Sequence, residues 1–277
     1  MNKIIGKRAV SEGFVRFEIK SSIAEKVIMP GQYSLLRTEK SSAEIILPVL
    51  TSDKERGTIT LAVQVTNDNT RQLANLNVGN EIYEIAGPYG KQLKIENFGT
   101  VLCIGRGQGI VFSYPILASL RAAGNRIVTV LSAQAKDRIV FETEIRSISD
   151  EVIILTDDGS YGEKDPFCHV VDKLIRSNKF DQVYTIGCAK TVKETFSLAQ
   201  KYNIPTQAIL HLGKASEHRL SGIFNVNICG SAKSVCVDGL NFNAYYPNFE
   251  EMIKRFGSEY PESVFMPEVS NKANIPV

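Results

Sequence analysis

Residues 100–124 read TVLCIGRGQGIVFSYPILASLRAAG, and this stretch decides the fold class. The apolar run VLCIG is typical of a buried strand, and the segment after it is typical of a helix that ends at Gly124. The loop between them contains Gly105, Arg106, Gly107 and Gly109. Such a turn lets the backbone approach a phosphate at a helix N-terminus. Because the spacing is not the full dinucleotide fingerprint, a tight turn that binds nothing is the alternative.

Strands and helices keep alternating after this stretch. The strand patterns RIVTVLSA, EVIILTDD, QVYTIG and TQAIL are interleaved with helical patterns such as VVDKLIRS and KTVKETFSLAQKY. This order predicts a doubly wound, mostly parallel sheet with helices on both faces. Ligands of such sheets bind at the carboxyl ends of the strands, so the loops there are the informative positions.

Two more loops are expected at that edge of the sheet. One is TDDGSYG at 156–162, and the other is GCAKT at 187–191. Three loops together predict a nucleotide cleft, although a segment like 156–162 taken alone is more often just a connecting loop. Nothing around Cys188 indicates a lowered pKa, which favours a structural thiol over a redox thiol.

The first hundred residues have a different pattern. Short β-rich runs such as FVRFEI, QYSLLR, EIILPVL, TITLAVQV and EIYEIAG follow one another closely, with one short helix expected at 70–76. This spacing favours an antiparallel barrel or sandwich. The predicted domains are a β-barrel at 1–98, a nucleotide-binding α/β domain at 99–212, a small C-terminal lobe at 213–257 with a helix at 249–256, and a polar tail at 258–277.

Composition excludes several classes of protein. The 277 residues are 43% hydrophobic and 22% charged, and the net charge of +2 is spread without long single-sign runs. This disfavours nucleic acid or a membrane surface as a partner. No segment has the roughly 20 apolar residues of a membrane span, and the N-terminus lacks a signal-peptide pattern, so a cytoplasmic protein is expected.

The cysteines and histidines suggest no catalytic or metal site. Five cysteines without a close metal-type pair argue against a disulfide framework. The three histidines, His169, His211 and His218, lie in no pattern typical of a nucleophile and its base. No catalytic residue and no metal ligand is therefore predicted.

Five motifs resemble a known family. They are PGQY at 30–33, GPYGK at 87–91, FGTVLCIGRGQGI at 98–110, TDDGSYG at 156–162 and CVDG at 236–239. Together they resemble the ferredoxin-NADP reductase-like flavoproteins, in particular the flavin subunits related to the dihydroorotate dehydrogenase electron-transfer subunit and the small subunit of NADH-dependent ferredoxin:NADP oxidoreductase. The resemblance implies FAD in the barrel, NAD(P) on the α/β domain, a [2Fe-2S] cluster in the C-terminal lobe, and a larger redox subunit as partner in a hetero-oligomer.

The resemblance also assigns positions to the cofactors. For FAD, the expected residues are Gln32, Tyr33, Pro48, Val49, Leu50, Thr51, Thr70, Gly87, Pro88, Tyr89 and Gly90. For NAD(P), the residues expected in the three loops are Gly105, Arg106, Gly107, Gly109, Asp157, Asp158, Gly159, Tyr161, Gly187 and Cys188. Arg106 stands where the family often has glycine, so it is expected either to clamp a phosphate or to plug the cleft.

The chain departs from the family at both redox sites. Where the family has an arginine that pairs with the FAD diphosphate, this chain has Ile46, so weaker FAD binding is expected. Asn67 replaces a glycine ahead of the phosphate-contacting threonine. Ser221 and Phe224 stand at positions of the family's cluster cysteines, and only Cys236 remains. Because such clusters need about four ligands, the sequence predicts that [2Fe-2S] is absent.

Two functions follow from these observations. The first is an electron-transfer flavoprotein subunit that exchanges a hydride between NAD(P)H and FAD and passes electrons to a partner subunit. The alternative is a non-catalytic scaffold or regulatory relative that keeps the fold without its redox centres.

Overall fold

The computed structural model describes residues 2–11, 13–90, 92–210, 225–228, 231–234 and 241–243, and its first domain is a curled antiparallel sheet. The strands are β1 (Asn2–Ser11), β2 (Phe14–Lys20), β3 (Tyr33–Arg37), β4 (Ile45–Asp53), β5 (Thr58–Gln64), β6 (Glu81–Ile82) and β7 (Glu84–Tyr89). They pair in the order β6-β1-β2-β5-β4-β3-β7, each with an antiparallel neighbour. The expected barrel is confirmed as a nearly closed one.

Alternation along the strands builds the interior of the barrel. Phe17 and Ile19 of β2 are fully buried and pack in one cluster with Leu61 of the neighbouring β5 and Leu36 of the more distant β3. Helix α1 (Asp68–Asn75) adds the buried Leu73 to this cluster. The helix begins two residues before the expected start at position 70, because Asn67 caps it.

The second domain is the expected parallel sheet. Its strands are β8 (Thr100–Arg106), β9 (Arg126–Ala133), β10 (Glu151–Thr156), β11 (Gln182–Gly187) and β12 (Thr206–Leu210). Its helices are α2 (Gly109–Ala122), α3 (Glu142–Ile148), α4 (Phe167–Ser177) and α5 (Ala189–Lys201). These strands are parallel to one another in the order β10-β9-β8-β11-β12, which confirms the doubly wound α/β class.

Part of the segment assigned to the C-terminal lobe joins this sheet. After β13 (Asn225–Ile228) and β14 (Ser231–Ser234), which form a two-stranded sheet, β15 (Asn241–Asn243) pairs antiparallel with β12. The expected helix at 249–256 and the tail at 258–277 lie outside the described residues.

The strand order reverses between β8 and β11. The chain runs from β8 to β9 and β10 on one side, then crosses to β11 and β12 on the other. In open α/β sheets, the crevice at the carboxyl ends beside such a reversal is where ligands bind. The fold therefore places the loops after β8 and β11 side by side at this switch point.

The two domains share one apolar cluster. Phe14, Tyr33 and Leu50 of the barrel belong to the same cluster as Val111 and Phe112 of α2, and α2 contacts β4. Burial of apolar side chains from both domains in one cluster couples their stability. The barrel and the α/β domain are therefore packed against each other, not merely connected.

The connection between the domains is held by hydrogen bonds. The side-chain amide of Gln207 bonds both the N–H and the carbonyl of Lys94, each at 3.0 Å. The Tyr184 hydroxyl donates to the same carbonyl. The N–H of Phe98 donates to Asn125 Oδ1 at 2.7 Å. These side chains, all from the α/β domain, fix the path of the linker.

Candidate functional site

The glycines after β8 have structural reasons for their identity. Gly107 has a φ of 58°, in the left-handed region that favours glycine. A Cβ at Gly109 would overlap the carbonyl oxygen of Ile186, because the first turn of α2 lies directly against the end of β11. Backbone conformation therefore explains Gly107 and close packing explains Gly109, whether or not a phosphate binds beside them.

Two helices at the switch point begin without a side-chain cap. Gln108 precedes α2 and Cys188 precedes α5, and neither side chain accepts a hydrogen bond from its own helix backbone. The first N–H groups of a helix have no intrahelical acceptor, and the helix dipole makes that end positive. The arrangement is chemically suited to an anion between the loops that follow β8 and β11.

The side chain of Arg106 extends toward the end of β10, away from β11. Its guanidinium donates to Ser132 Oγ at 2.7 Å and to the two carboxylate oxygens of Asp157 at 2.8 and 3.1 Å. It also lies over the ring of Phe167, 5.8 Å from the centroid. The Arg106 side chain thus spans the carboxyl ends of β8, β9 and β10. Its ion pair with Asp157 is partly open to solvent.

The loop at 156–162 is a well-bonded turn. Thr156 Oγ1 donates to the carbonyl of Tyr161 at 2.6 Å and accepts from its N–H at 3.0 Å. Asp158 accepts from the N–H of Ser160 at 2.8 Å, and hydrogen bonds from Ser160 lower the pKa of the Asp158 carboxyl. Gly159 has a φ of 75°. Asp157 is thereby presented to Arg106 by a fixed loop.

The loop after β9 lies at the same edge of the parallel sheet, although it was not among the loops expected there from the sequence. The N–H of Lys136 donates to Ser160 Oγ at 2.9 Å, and its ammonium lies 5.2 Å from the centre of the Tyr161 ring. The Tyr161 hydroxyl donates to Glu142 at 2.9 Å. Applying the strand-end rule to β9 as well as to its neighbours would have identified Ser132 and Lys136.

Three of the barrel segments expected to bind FAD meet in register. Tyr33 of β3 lies opposite Pro48 of β4 on one side and Tyr89 of β7 on the other. The rings of Tyr33 and Tyr89 are 6.2 Å apart. Gln32 Nε2 donates to the carbonyl of Gly90 at 3.0 Å and so fixes the turn after the cis Gly87–Pro88 bond.

Within these segments, the side chains differ in what they can offer a ligand. Val49 and Leu50 are buried in the two apolar clusters of the barrel, whereas Thr51 and the Tyr89 ring are exposed. A ring face and a hydroxyl group suit an isoalloxazine and its ribityl chain. The donor set therefore fits the flavin end of FAD.

The residues expected near the diphosphate end of FAD offer few charged groups. Ile46 packs against the apolar cluster shared with α2. Thr70 is buried, and its hydroxyl caps its own helix by accepting from the N–H groups of Thr66 and Asn67 at 2.9 and 3.0 Å. The first turn of α1 carries the exposed Asp68, which pairs with Arg71 at 2.6 Å. The positive charge available to a diphosphate is therefore limited both at Ile46 and at the first turn of α1.

No disulfide joins the cysteines of the described residues. Cys103 is fully buried, and burial raises its pKa. Cys168 and Cys188 are partly exposed, and burial followed by the neighbouring Glu194 raises the pKa of Cys168. The residues on which the absence of a cluster was predicted, Ser221, Phe224, Cys229 and Cys236, lie outside the described residues.

The described part of the chain contains neither a metal-binding cluster of side chains nor a membrane-spanning helix. No group of three His, Cys, Asp or Glu side chains there is placed to hold a metal ion. Among the helices described, none has the length and apolar character required to cross a membrane.

Comparison with known proteins identifies the relatives of this chain, although no family model matches. A protein of Thermotoga maritima named dihydroorotate dehydrogenase B (NAD(+)), electron transfer subunit homolog is 34% identical over 262 residues, which cover 95% of this chain and 92% of that protein. A chain from the structure of NADH-dependent reduced ferredoxin-NADP oxidoreductase, studied for flavin-based electron bifurcation, is 31% identical with a TM-score of 0.82, covering 95% of both chains.

A more distant structure shares the fold alone. The cytochrome b5 reductase domain of Ulva prolifera nitrate reductase is 16% identical with a TM-score of 0.61, over 73% of this chain and 92% of that domain. The Thermotoga maritima protein and the chain from the oxidoreductase structure are each similar to this chain along almost their whole length. The chain therefore belongs to the ferredoxin reductase-like family of electron-transfer flavoproteins that contains the dihydroorotate dehydrogenase electron-transfer subunits.

Proposed function

We propose that this electron-transfer subunit exchanges a hydride between NAD(P)H and FAD and passes the electrons to a larger partner subunit. The observation that carries the proposal is the meeting of Tyr33, Pro48 and Tyr89 in register on the barrel. The same chain brings the N-termini of α2 and α5 together at the switch point of the α/β domain. One molecule thus offers a flavin-type and a nucleotide-type surface.

On the barrel, the residues that would hold FAD are those around the Tyr33 junction. Tyr89 offers a ring face and Thr51 a hydroxyl group, while Gln32 fixes the turn that carries Gly90. When bound, FAD supplies the relay between a hydride donor and acceptors of single electrons. Since Ile46 offers no charge to the diphosphate, binding is expected to be weaker than in relatives with an arginine there.

On the α/β domain, the first turns of α2 and α5 would bind the dinucleotide diphosphate. Arg106 lies beside these turns, and its bonds to Ser132 and Asp157 direct the guanidinium toward the ends of β9 and β10. The residues of this cleft bind and orient the nucleotide. Cys188 and Thr191, whose side chains are 3.4 Å apart, lie at its other side.

The partner is inferred from the relatives. The Thermotoga maritima protein is named as a homolog of an electron-transfer subunit, which supports a hetero-oligomer for this chain too. In this proposal a larger redox subunit receives the electrons from the flavin. Whether this chain adds an iron–sulfur centre is a separate prediction, and the sequence predicts that it does not.

Titration with FAD tests the barrel site. We expect FAD fluorescence to be quenched on binding, and Tyr89→Ala to weaken binding by about 1–3 kcal/mol through loss of the ring contact. Tyr83→Ala is the matched control, because Tyr83 is also an exposed tyrosine near the same strands but lies against Arg37. Equal weakening by both substitutions, or no FAD binding to the wild type, would contradict the proposed site.

One observation favours the alternative of a non-catalytic relative. Ile46 is packed in the cluster that joins the barrel to α2, so the family's charged position has become part of the domain interface. If this packing replaced cofactor binding, purified protein would remain colourless after incubation with excess FAD. The colour of the protein after removal of free FAD therefore separates the two functions.

A further inference from the structure

A cavity lies at the amino ends of the parallel strands, the edge of the sheet opposite to the nucleotide cleft. Its volume is about 680 Å³, and it is lined by the starts of β11 and β12, the end of α5 and the linker at 94–98. The length of β11, from Gln182 to Gly187, places about 16 Å between the two edges of the sheet. None of the side chains that line the cavity is among those proposed to bind FAD or the nucleotide.

Two oxygen atoms of the cavity wall are acceptors without a donor in the part of the chain that the structure describes. Gln182 is 5% exposed, and its Nε2 donates to the carbonyl of Val183 at 3.1 Å, whereas its Oε1 accepts no hydrogen bond from the described residues. Asp181 Oδ2 accepts from the N–H of Thr100 at 2.9 Å, and its Oδ1 likewise has no described donor. Because buried polar atoms are as a rule hydrogen-bonded, these oxygens suit a ligand that carries N–H donors.

The charged side chains of the lining favour a cation over an anion. They are Lys94, Glu96 and Asp181. Lys94 Nζ lies 2.9 Å from Glu96 Oε2, so these two charges neutralise each other. Asp181 therefore leaves the described lining with one net negative charge, which attracts a cation and repels an anion.

An aromatic ring supplies a further contact for a cation. Phe98 lines the cavity and is partly exposed, and its ring meets that of Tyr184 edge to face at 6.4 Å. The side-chain amide of Gln207 donates to the Tyr184 hydroxyl at 2.8 Å, which gives the Phe98 ring a fixed neighbour. Aromatic rings attract organic cations, and Ile204 and Pro205 add apolar surface around a planar ligand.

We propose that this cavity binds a planar organic cation of the amidinium or guanidinium class. Such a group presents a fork of N–H donors and no acceptor, which matches a wall whose available groups are oxygen atoms. Its charge pairs with Asp181, one N–H donates to Gln182 Oε1, and its apolar part lies against Phe98. The site is independent of the proposed cofactor sites, because it lies at the other edge of the sheet.

Titration with three probes of one shape tests the site. Benzamidinium, benzamide and benzoate are cationic, neutral and anionic on the same ring. We expect ligand-observed NMR to show that benzamidinium binds the full chain, that benzamide binds about tenfold more weakly, and that benzoate does not bind. Asp181→Asn should weaken benzamidinium binding about tenfold by removing the charge, and Gln182→Met about fivefold by removing the acceptor at similar volume.

Glu151→Gln is the matched control. It removes one negative charge at the start of β10, an exposed position at the same edge of the sheet but at the far end of the strand order. Its affinity for benzamidinium should equal that of the wild type. Thermal unfolding of each variant shows whether the compared proteins are folded, and if Asp181→Asn does not fold, Gln182→Met decides alone.

Several results would overturn the proposal. One is equal affinity for the three probes, and another is no binding of benzamidinium to the folded wild type. An affinity that the folded Asp181 and Gln182 variants leave unchanged, or that Glu151→Gln lowers as much as they do, would also overturn it. Displacement of benzamidinium by NADH would place the cation in the nucleotide cleft instead. All of these outcomes leave the proposed hydride exchange between nucleotide and flavin to its own tests.

Discussion

At the scale of single residues, Asp150 shows how one carboxylate joins three elements. It accepts from the N–H of Ile127 at 2.7 Å, at the start of β9, and pairs with Arg121 of α2 at 3.1 Å. It stands directly before β10. The hydrogen bond from Ile127, followed by the charge of Arg121, holds the pKa of Asp150 below its ordinary value.

This lowered pKa predicts a loss of stability in acid. A carboxyl group whose pKa is lower in the folded than in the unfolded state stabilises the fold above its unfolded pKa, near about 4. That stability disappears as the pH falls through the folded value. We therefore expect Asp150→Asn to lower the free energy of unfolding at neutral pH and to flatten its fall below about pH 4. Urea unfolding across this pH range measures the free energy of unfolding. If its dependence on pH were the same in Asp150→Asn as in the wild type, the role given to Asp150 would be wrong.

The candidate site was only partly predictable at this scale. Arg106 was recognisable beside its glycines, but its direction was not, because its partner Asp157 is separated from it by two strands and their helices. Thr70 illustrates the opposite case. Its hydroxyl takes part in a capping box with Asn67, which the sequence N-D-N-T already permits, and its expected contact with FAD stays a prediction.

At the scale of elements, the packing of α2 against β11 depends on Gly109. Any side chain there would overlap the carbonyl of Ile186, which is backbone and cannot rotate away. Helix α2 also carries Ile116, Leu117 and Leu120 into the core of the α/β domain. The glycine thus sets how closely the helix can approach the sheet.

Gly109→Ala should destabilise the protein strongly. We expect a loss of about 1–3 kcal/mol, because the helix must shift away from the end of β11. Gly187→Ala is the control from the other side of the same contact, since a Cβ there would meet side-chain atoms alone, those of Thr191 at 3.3 Å and the Cβ of Arg106 at 3.6 Å. Its effect should be below about 1 kcal/mol. Urea unfolding of both variants checks this, and equal losses would contradict the role given to Gly109.

The elements that the sequence revealed are those with a clear buried pattern. Strands β8, β9 and β11 are almost entirely buried and stood out as apolar runs. Strand β1 was missed, because Ile4 is its one fully buried residue. Helix α3 was missed for a similar reason, since it is seven residues long and buries only Ile145. Where tertiary contacts rather than periodicity define an element, the sequence carries little local signal.

At the scale of the whole molecule, the shared apolar cluster predicts cooperative unfolding of both domains. Leu50 lies on the barrel side of this cluster, so Leu50→Ala should cost about 2–5 kcal/mol and lower the stability of both domains together. Hydrogen exchange of peptides from the barrel and from α2 measures each domain in the same sample. Loss of protection confined to the barrel would mean that the two domains unfold independently.

The central claim concerns the passage of electrons from nucleotide to flavin. Under anaerobic conditions, protein loaded with FAD and mixed with NADH should lose its visible flavin absorption within the mixing experiment, whereas free FAD under the same conditions should not. We expect this bleaching, and we expect the absorption to recover when an electron acceptor is added. Flavin that stays oxidised in the presence of saturating NADH and NADPH would contradict the account and favour a non-catalytic relative.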